Sequence, residues 1–308
     1  MKIPSRITTL ITTLIAGVLL AMVSLWYGQN HGLMPVEASQ EAAAVDGLFN
    51  MMMTIATGLF LIVEGALVFA IVRFRRKPGD NTDGPPINGN VPLEILWTAI
   101  PALTVLVIGI YSFEVYNQMG GLDPMAAHDH PVADHNSMVA MREDVAVGLG
   151  ASPAEQDKAP NLTIDVMGLQ YAWTFTYPSG FVSGELHLPV GQDAQLNIKA
   201  QDVLHAFWLP EFRIKQDAIP GRVTELRFTP TRLGQYPVIC AELCGAYHGA
   251  MVTQLFVQSQ EDFDAWQAQQ VAQGGAPAQV AVQPSEYLAP YSQEIGATAE
   301  AIAKLHHH

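Results

Sequence analysis

The chain has 308 residues, 49% of them hydrophobic, and carries 15 Lys and Arg against 29 Asp and Glu, a formal net charge of −14. That acidity sets nucleic acid aside as a partner. A positive mean hydropathy implies apolar residues gathered into a few long segments, the mark of membrane spans.

Three stretches fit that description: Ile7 to Tyr27, Leu48 to Val72 and Leu93 to Tyr116, each near or above the roughly 20 apolar residues that cross a hydrocarbon core. The first follows Lys2 and Arg6. It reads either as an extra transmembrane helix or as a secretory signal, although its apolar run exceeds that of a usual signal core. Arg73, Arg75, Arg76 and Lys77 crowd the loop between the second and third stretches, which places that loop in the cytoplasm and the C-terminal part on the periplasmic or lumenal side. Glu64 falls inside the second stretch, where a carboxylate costs a few kcal/mol. It is expected to be protonated or packed against a helix.

Of the fifteen basic residues six precede Asn117, which leaves nine against twenty-one acidic residues in the outer part. A soluble protein with a basic face would be attracted to it. Gly120 to Pro160 shows no sustained period and reads as a flexible insertion, with His128, His130 and His135 as histidines of a solvated loop. Strand patterns then begin: Leu162 to Met167, Tyr171 to Tyr177, Gly184 to Leu188, Ala194 to Ala200, Val223 to Thr229, Gly234 to Ile239 and Val252 to Gln258. Alternation bounded by Pro, Gly and Asp predicts a half-buried antiparallel system, a sandwich of about 110 residues. A short amphipathic helix follows Glu261, then an Ala, Gln, Gly and Pro tail. His306 to His308 look like the remnant of a purification tag.

The last twelve residues of the stretch from Tyr236 to Met251 hold Cys240, Cys244, His248 and Met251. Soft sulfur and imidazole ligands suit copper, and an axial thioether helps set the potential of an electron-transfer site. His205, in Asp202-Val-Leu-His205, offers a second imidazole from a loop that a sandwich can bring to the same end. Copper-binding cupredoxins place a distant histidine against a ligand loop in this way, and two thiolates rather than one can bridge a copper pair. Phe207, Trp208 and Ile239 flank the set as apolar neighbours. Two other readings stand beside this one: a Cys240–Cys244 disulfide with incidental histidines, and a zinc site of two Cys and two His.

With these residues in hand the sequence resembles cytochrome c oxidase subunit II, from Val45 to about Trp266, and looks most like the cyanobacterial forms. The family's copper loop reads C-x-E-x-C-x-x-x-H-x-x-M, and Cys240, Glu242, Cys244, His248 and Met251 fill it, with His205 in the V-L-H context. The resemblance implies a binuclear CuA centre, bridged by Cys240 and Cys244, with His205 and His248 each on one copper, Met251 as a weak ligand and Glu242 through its backbone carbonyl. It implies a magnesium ion shared with subunit I at the side chain of Glu242, and a contact with that subunit at Lys215 and Asp217. Glu94, in Leu93-Glu94-Ile-Leu-Trp97, matches the family's proton-channel entrance. Where the family has Gly-His-Gln-Trp-Tyr-Trp this chain has Gly168-Leu-Gln170-Tyr171-Ala-Trp173, so either Tyr171 or Trp173 faces the donor in place of the usual Trp or the route differs, and both aromatics read equally as core.

The implied protein is a membrane-anchored all-β chain. Residues 1–44 form the signal or extra helix with a short linker, 45–118 a transmembrane helical hairpin, 119–160 the insertion, 161–270 a cupredoxin-like antiparallel β-sandwich and 271–308 a tail. The resemblance further implies partners in subunits I and III and a soluble donor: cytochrome c, another small c-type cytochrome or a plastocyanin. Oxygen reduction coupled to proton pumping would then belong to the complex, in a bacterial plasma or thylakoid membrane. A Cys-x-x-Cys-His pattern is absent, so no haem is expected in this chain. A quinol oxidase subunit would lack the copper ligands, nitrous oxide reductase would carry a large further domain, and a copper chaperone would expose its ligands on a mobile site.

Overall fold

A computed structural model describes residues 5–76, 78–79, 82–84, 86, 89–121, 147–153, 155 and 158–273. Lys2, Lys77, His128, His130, His135 and the tail with His306 to His308 lie outside the described residues. The chain divides into two compact units, one of Met1–Pro124, Leu149–Lys158 and Pro210–Arg213, the other of Met125–Gly148, Ala159–Leu209 and Ile214–His308.

The first unit holds three long helices, α1 (Ser5–Asn30), α2 (Ala42–Arg73) and α3 (Val91–Gln118), each long and apolar enough to cross a membrane. Their apolar side chains face outward, Leu10, Val72 and Val105 among them, as suits helices solvated by hydrocarbon. Small residues set the α1–α2 contact. A Cβ on Gly28 would fall onto Thr54, and one on Gly58 would stand 3.3 Å from the hydroxyl of Ser24, which is buried. His31, just past α1, hydrogen-bonds Asn50 of α2 through Nε2 at 2.8 Å and meets the ring of Phe49 edge-on. Glu64 has its side chain on an exposed face of α2, so the described helices of this chain do not pack it.

The start of α3 follows from local chemistry. Asn90 caps it by accepting from the Leu93 N–H, Pro92 sits in its first turn where a missing N–H costs nothing, and Glu94 accepts the Asn90 N–H at 3.1 Å. In the same unit Arg213, at φ 60°, donates to both carboxylate oxygens of Asp46 and to the Pro35 carbonyl. Ser39 donates to the Phe212 carbonyl.

The second unit is a β-sandwich whose sheets run β1–β9–β6–β2–β3–β4 and β5–β11–β10–β7–β8. The strands are β1 (Val147–Leu149), β2 (Leu162–Leu169), β3 (Ala172–Thr176), β4 (Val182–Ser183), β5 (Leu186–Pro189), β6 (Ala194–Ala200), β7 (His205–Leu209), β8 (Ile214–Ala218), β9 (Thr224–Phe228), β10 (Gly234–Cys240) and β11 (Val252–Gln258). Period-two alternation sends Ile164, Val166, Leu196, Ile198, Leu226 and Phe228 of one sheet into the core. Each sheet also contains a parallel pair, β2 with β6 and β5 with β11, so the sandwich is mixed where a wholly antiparallel one was expected. Strand β1 lies within the range read as an insertion.

Helix α4 (Gln260–Ala272) starts at Ser259, whose hydroxyl accepts the Asp262 N–H. It stacks Trp266 on the imidazole of His187 with ring centres 3.8 Å apart. Burial lowers the pKa of His187, with Gln258 and Glu185 opposing. Burial likewise lifts the Tyr177 hydroxyl far above its ordinary range, against a backbone hydrogen bond with His187.

Candidate metal centre

Strand register explains why distant residues meet. In β10 the inward positions are Tyr236, Val238 and Cys240, so alternation turns the Cys240 thiol into the sandwich. Cys240 lies opposite Phe207 of β7, and His205, two residues earlier on that strand, shares the face of Phe207 and is fully buried. On the other side Ile239 pairs with Val252 and the Cys240 N–H donates to the Met251 carbonyl at 3.1 Å. The loop 241–251 therefore leaves one strand end and returns to its neighbour, carrying Cys244 and His248 over Cys240.

The resulting set is compact. His205, Cys240 and Cys244 place their ligand atoms within 4.8 Å of one another, all buried. The two Sγ atoms stand 3.9 Å apart, Cys240 Sγ lies 3.9 Å from His205 Nδ1, and Cys244 Sγ lies 3.5 Å from His248 Nδ1 and 3.8 Å from Met251 Sδ. The Glu242 carbonyl accepts from the Cys240 thiol at 3.4 Å, while the Glu242 side chain is exposed. Every residue of the expected copper set is thus gathered at one place.

A disulfide requires about 2.0 Å between sulfurs, and here both cysteines are free. A metal ion bonded to both thiolates at about 2.3 Å, the zinc–thiolate length, spans their 3.9 Å separation. Two thiols, a thioether and imidazole nitrogens are a soft donor set that fits copper, and Met251 is buried beside the thiols. Burial, and after it the neighbouring Cys240, pushes the Cys244 thiol up to about 11, so a metal must displace its proton.

Two residues without an assigned role complete the surroundings. Asp202 Oδ1 lies 2.8 Å from His205 Nε2. Burial pushes this carboxyl up, but hydrogen bonds from His205 and from the N–H groups of Gln170 and Val203 outweigh it and hold the group below its ordinary value. The Gln170 amide donates to the Cys244 carbonyl at 2.5 Å. The sequence signal for Asp202 was its place three residues before a ligand histidine; nothing local marks Gln170.

The two aromatics expected to face a donor separate. Trp173 is 2% exposed, edge-on to His205 and Phe207. Alternation along β3 makes it core, so it presents no surface to a soluble protein. Tyr171 is half-buried and meets Tyr247 edge-on at 5.3 Å. Trp208, Leu204 and Leu243 are exposed, the last by 79%. Lys215 and Asp217 of β8 pair through exposed side chains at 2.7 Å. Glu94 belongs to the helical unit, in the first turn of α3.

The chain is similar to known proteins over both its helical and its β-sandwich parts. The transmembrane domain of cytochrome C oxidase subunit II matches residues 24–115, and its periplasmic domain matches residues 181–257. A cytochrome c oxidase subunit 2 from Synechocystis sp. is 53% identical, over 99% of this chain and 97% of that protein. One from Thermostichus vulcanus is 49% identical, over 97% of this chain and 96% of its own length. Among solved structures, the periplasmic domain of subunit II of cytochrome oxidase from Bradyrhizobium japonicum is 31% identical and covers 38% of this chain and 98% of that chain, with a TM-score of 0.36.

Proposed function

Because the chain belongs to the cytochrome c oxidase subunit II family, as a membrane protein with a periplasmic cupredoxin-like domain, we propose that the sandwich receives electrons from a soluble donor at a binuclear copper centre. The electrons pass on to haem in subunit I, where oxygen is reduced to water with proton pumping. What carries this reading is the convergence of His205, Cys240 and Cys244 within 4.8 Å. Two copper ions held there supply a one-electron carrier whose unpaired electron both metals share.

The protein's own residues would do the rest. Cys240, Cys244, His205 and His248 would hold the pair, Met251 would bind it weakly, and the Glu242 carbonyl would complete the set. Burial of His205, Cys240, Cys244 and Met251 keeps water from reorganising around a change of charge, and the strand ends hold the ligands still, so rearrangement on electron transfer is small. The exposed Glu242 carboxylate remains available to a magnesium ion shared with subunit I, and Lys215 and Asp217 to that subunit's surface. Of the two candidate aromatics, Tyr171 is the one a donor can reach, and Glu94 is the candidate for proton entrance. Subunit III and a donor such as cytochrome c, a small c-type cytochrome or plastocyanin complete the set of partners.

The test is substitution of the thiols. Cys240→Ser or Cys244→Ser should each abolish the paired-copper electron paramagnetic resonance spectrum of the purified protein. A spectrum that survives either change contradicts the assignment.

A further inference from the structure

The ligand-bearing segments of the candidate centre are His205, which opens β7 after the connection 201–204 from β6, and the loop 241–251 between β10 and β11 of the same five-stranded sheet as β7. A turn of the other sheet reaches them. Gln170, between β2 and β3, donates its side-chain amide to the Cys244 carbonyl at 2.5 Å and its main-chain N–H to Asp202 Oδ2 at 2.7 Å. Asp202 Oδ1 in turn lies 2.8 Å from His205 Nε2 and accepts the Val203 N–H. A continuous hydrogen-bonded path therefore runs from His205 through Asp202 and Gln170 to Cys244.

The path has chemical consequences at both ends. A carboxylate accepts but cannot donate, so Nε2 of His205 carries the proton and Nδ1, which faces the Cys240 thiol at 3.9 Å, presents its lone pair to a metal. Such a carboxylate–histidine pair fixes ring orientation and raises ligand basicity. At the other end, the bond to the Cys244 carbonyl holds the main chain of a bridging cysteine. Gly245 permits this approach, since a Cβ there would stand 2.8 Å from the Gln170 amide nitrogen and 2.5 Å from the Tyr171 hydroxyl.

We infer that Gln170 is a positioning residue that braces the two copper-bearing segments against each other, acting on His205 through Asp202 and on Cys244 through its carbonyl. It touches no metal. The inference rests on the copper reading proposed above, and it adds a residue of the opposite sheet to the machinery that sets the centre's geometry.

The experiment loads the full-length chain in detergent with copper and compares it with Gln170→Leu, Asp202→Asn and the double variant. Three readouts are taken: copper affinity in competition with a chelator, hyperfine coupling and reduction potential. Loss of such an outer hydrogen bond costs about 10–100-fold in metal affinity, and each single variant should lose affinity in that range with altered hyperfine coupling and a shifted potential. The double variant should lose less than the two single losses combined, because the links act in series. Wild-type affinity, coupling and potential in Gln170→Leu would overturn the inference, as would fully additive losses. Should Gln170→Leu fail to fold, Gln170→Glu keeps the side chain's size while replacing the donor, and the same outcomes decide. Failure of the unsubstituted chain to bind a copper pair would sink the copper reading itself, a result distinct from normal copper binding in the variants.

Discussion

Gly245 shows how closely the candidate centre constrains single positions. Its φ of +139° is one that side chains rarely adopt, and a Cβ would press on Tyr171 and Gln170. Gly245→Ala is expected to cost about 1–3 kcal/mol for the backbone alone, read as a lower apparent melting temperature together with weaker copper retention. Met251→Leu conserves volume and burial but removes the weak ligand proposed for the copper pair, so copper should stay bound while its reduction potential shifts. His187 predicts a pH effect. Its folded pKa is lowered by burial, so the unfolded chain binds the proton better, and stability is full above the unfolded value of about 6.5 and falls as pH drops through it. Replacing His187 by Phe should flatten that fall in a melting-temperature profile between about pH 5 and 7. Of these residues the sequence marked Met251 by its spacing from His248. Gly245 and His187 depend on partners remote in sequence, Tyr171 in the β2–β3 turn and Trp266 on α4, which no local pattern names.

At the scale of elements, strands β6 and β11 were readable to their ends because polar and apolar residues alternate along them. Strand β7 was not: His205, Ala206, Phe207 and Leu209 are all buried, and a five-residue run without alternation carries no period-two signal. Strand β8 carries Lys215 and Asp217 near an exposed face and reads as loop, and the parallel pairings of β2 with β6 and β5 with β11 belong to topology rather than to any one segment. For Trp173, read either as facing the donor or as core, the register of β3 selects the core position. The helices were legible from length and apolarity, but the fate of α1 was not. Its packing on α2 through Ser24, Gly28, Thr54 and Gly58 is the small-residue contact by which membrane helices associate, and this argues that α1 stays with the protein. Intact mass of the membrane-extracted chain should include the α1 segment; a mature N-terminus beyond Asn30 would contradict it. Glu94 has a local duty, accepting the Asn90 N–H. Glu94→Gln keeps an acceptor there and should leave copper unchanged while slowing turnover of the assembled oxidase.

For the molecule as a whole, the charge distribution and the ligand set point the same way. The outer part holds twenty-one acidic residues against nine basic ones, so association with a donor bearing a basic face should slow as ionic strength rises. The metal is decided by copper content and low-temperature electron paramagnetic resonance of the full-length chain loaded with copper in detergent. Two coppers per chain sharing one unpaired electron is the predicted result. A single copper, zinc in its place, or a Cys240–Cys244 disulfide after loading under reducing conditions would contradict the account.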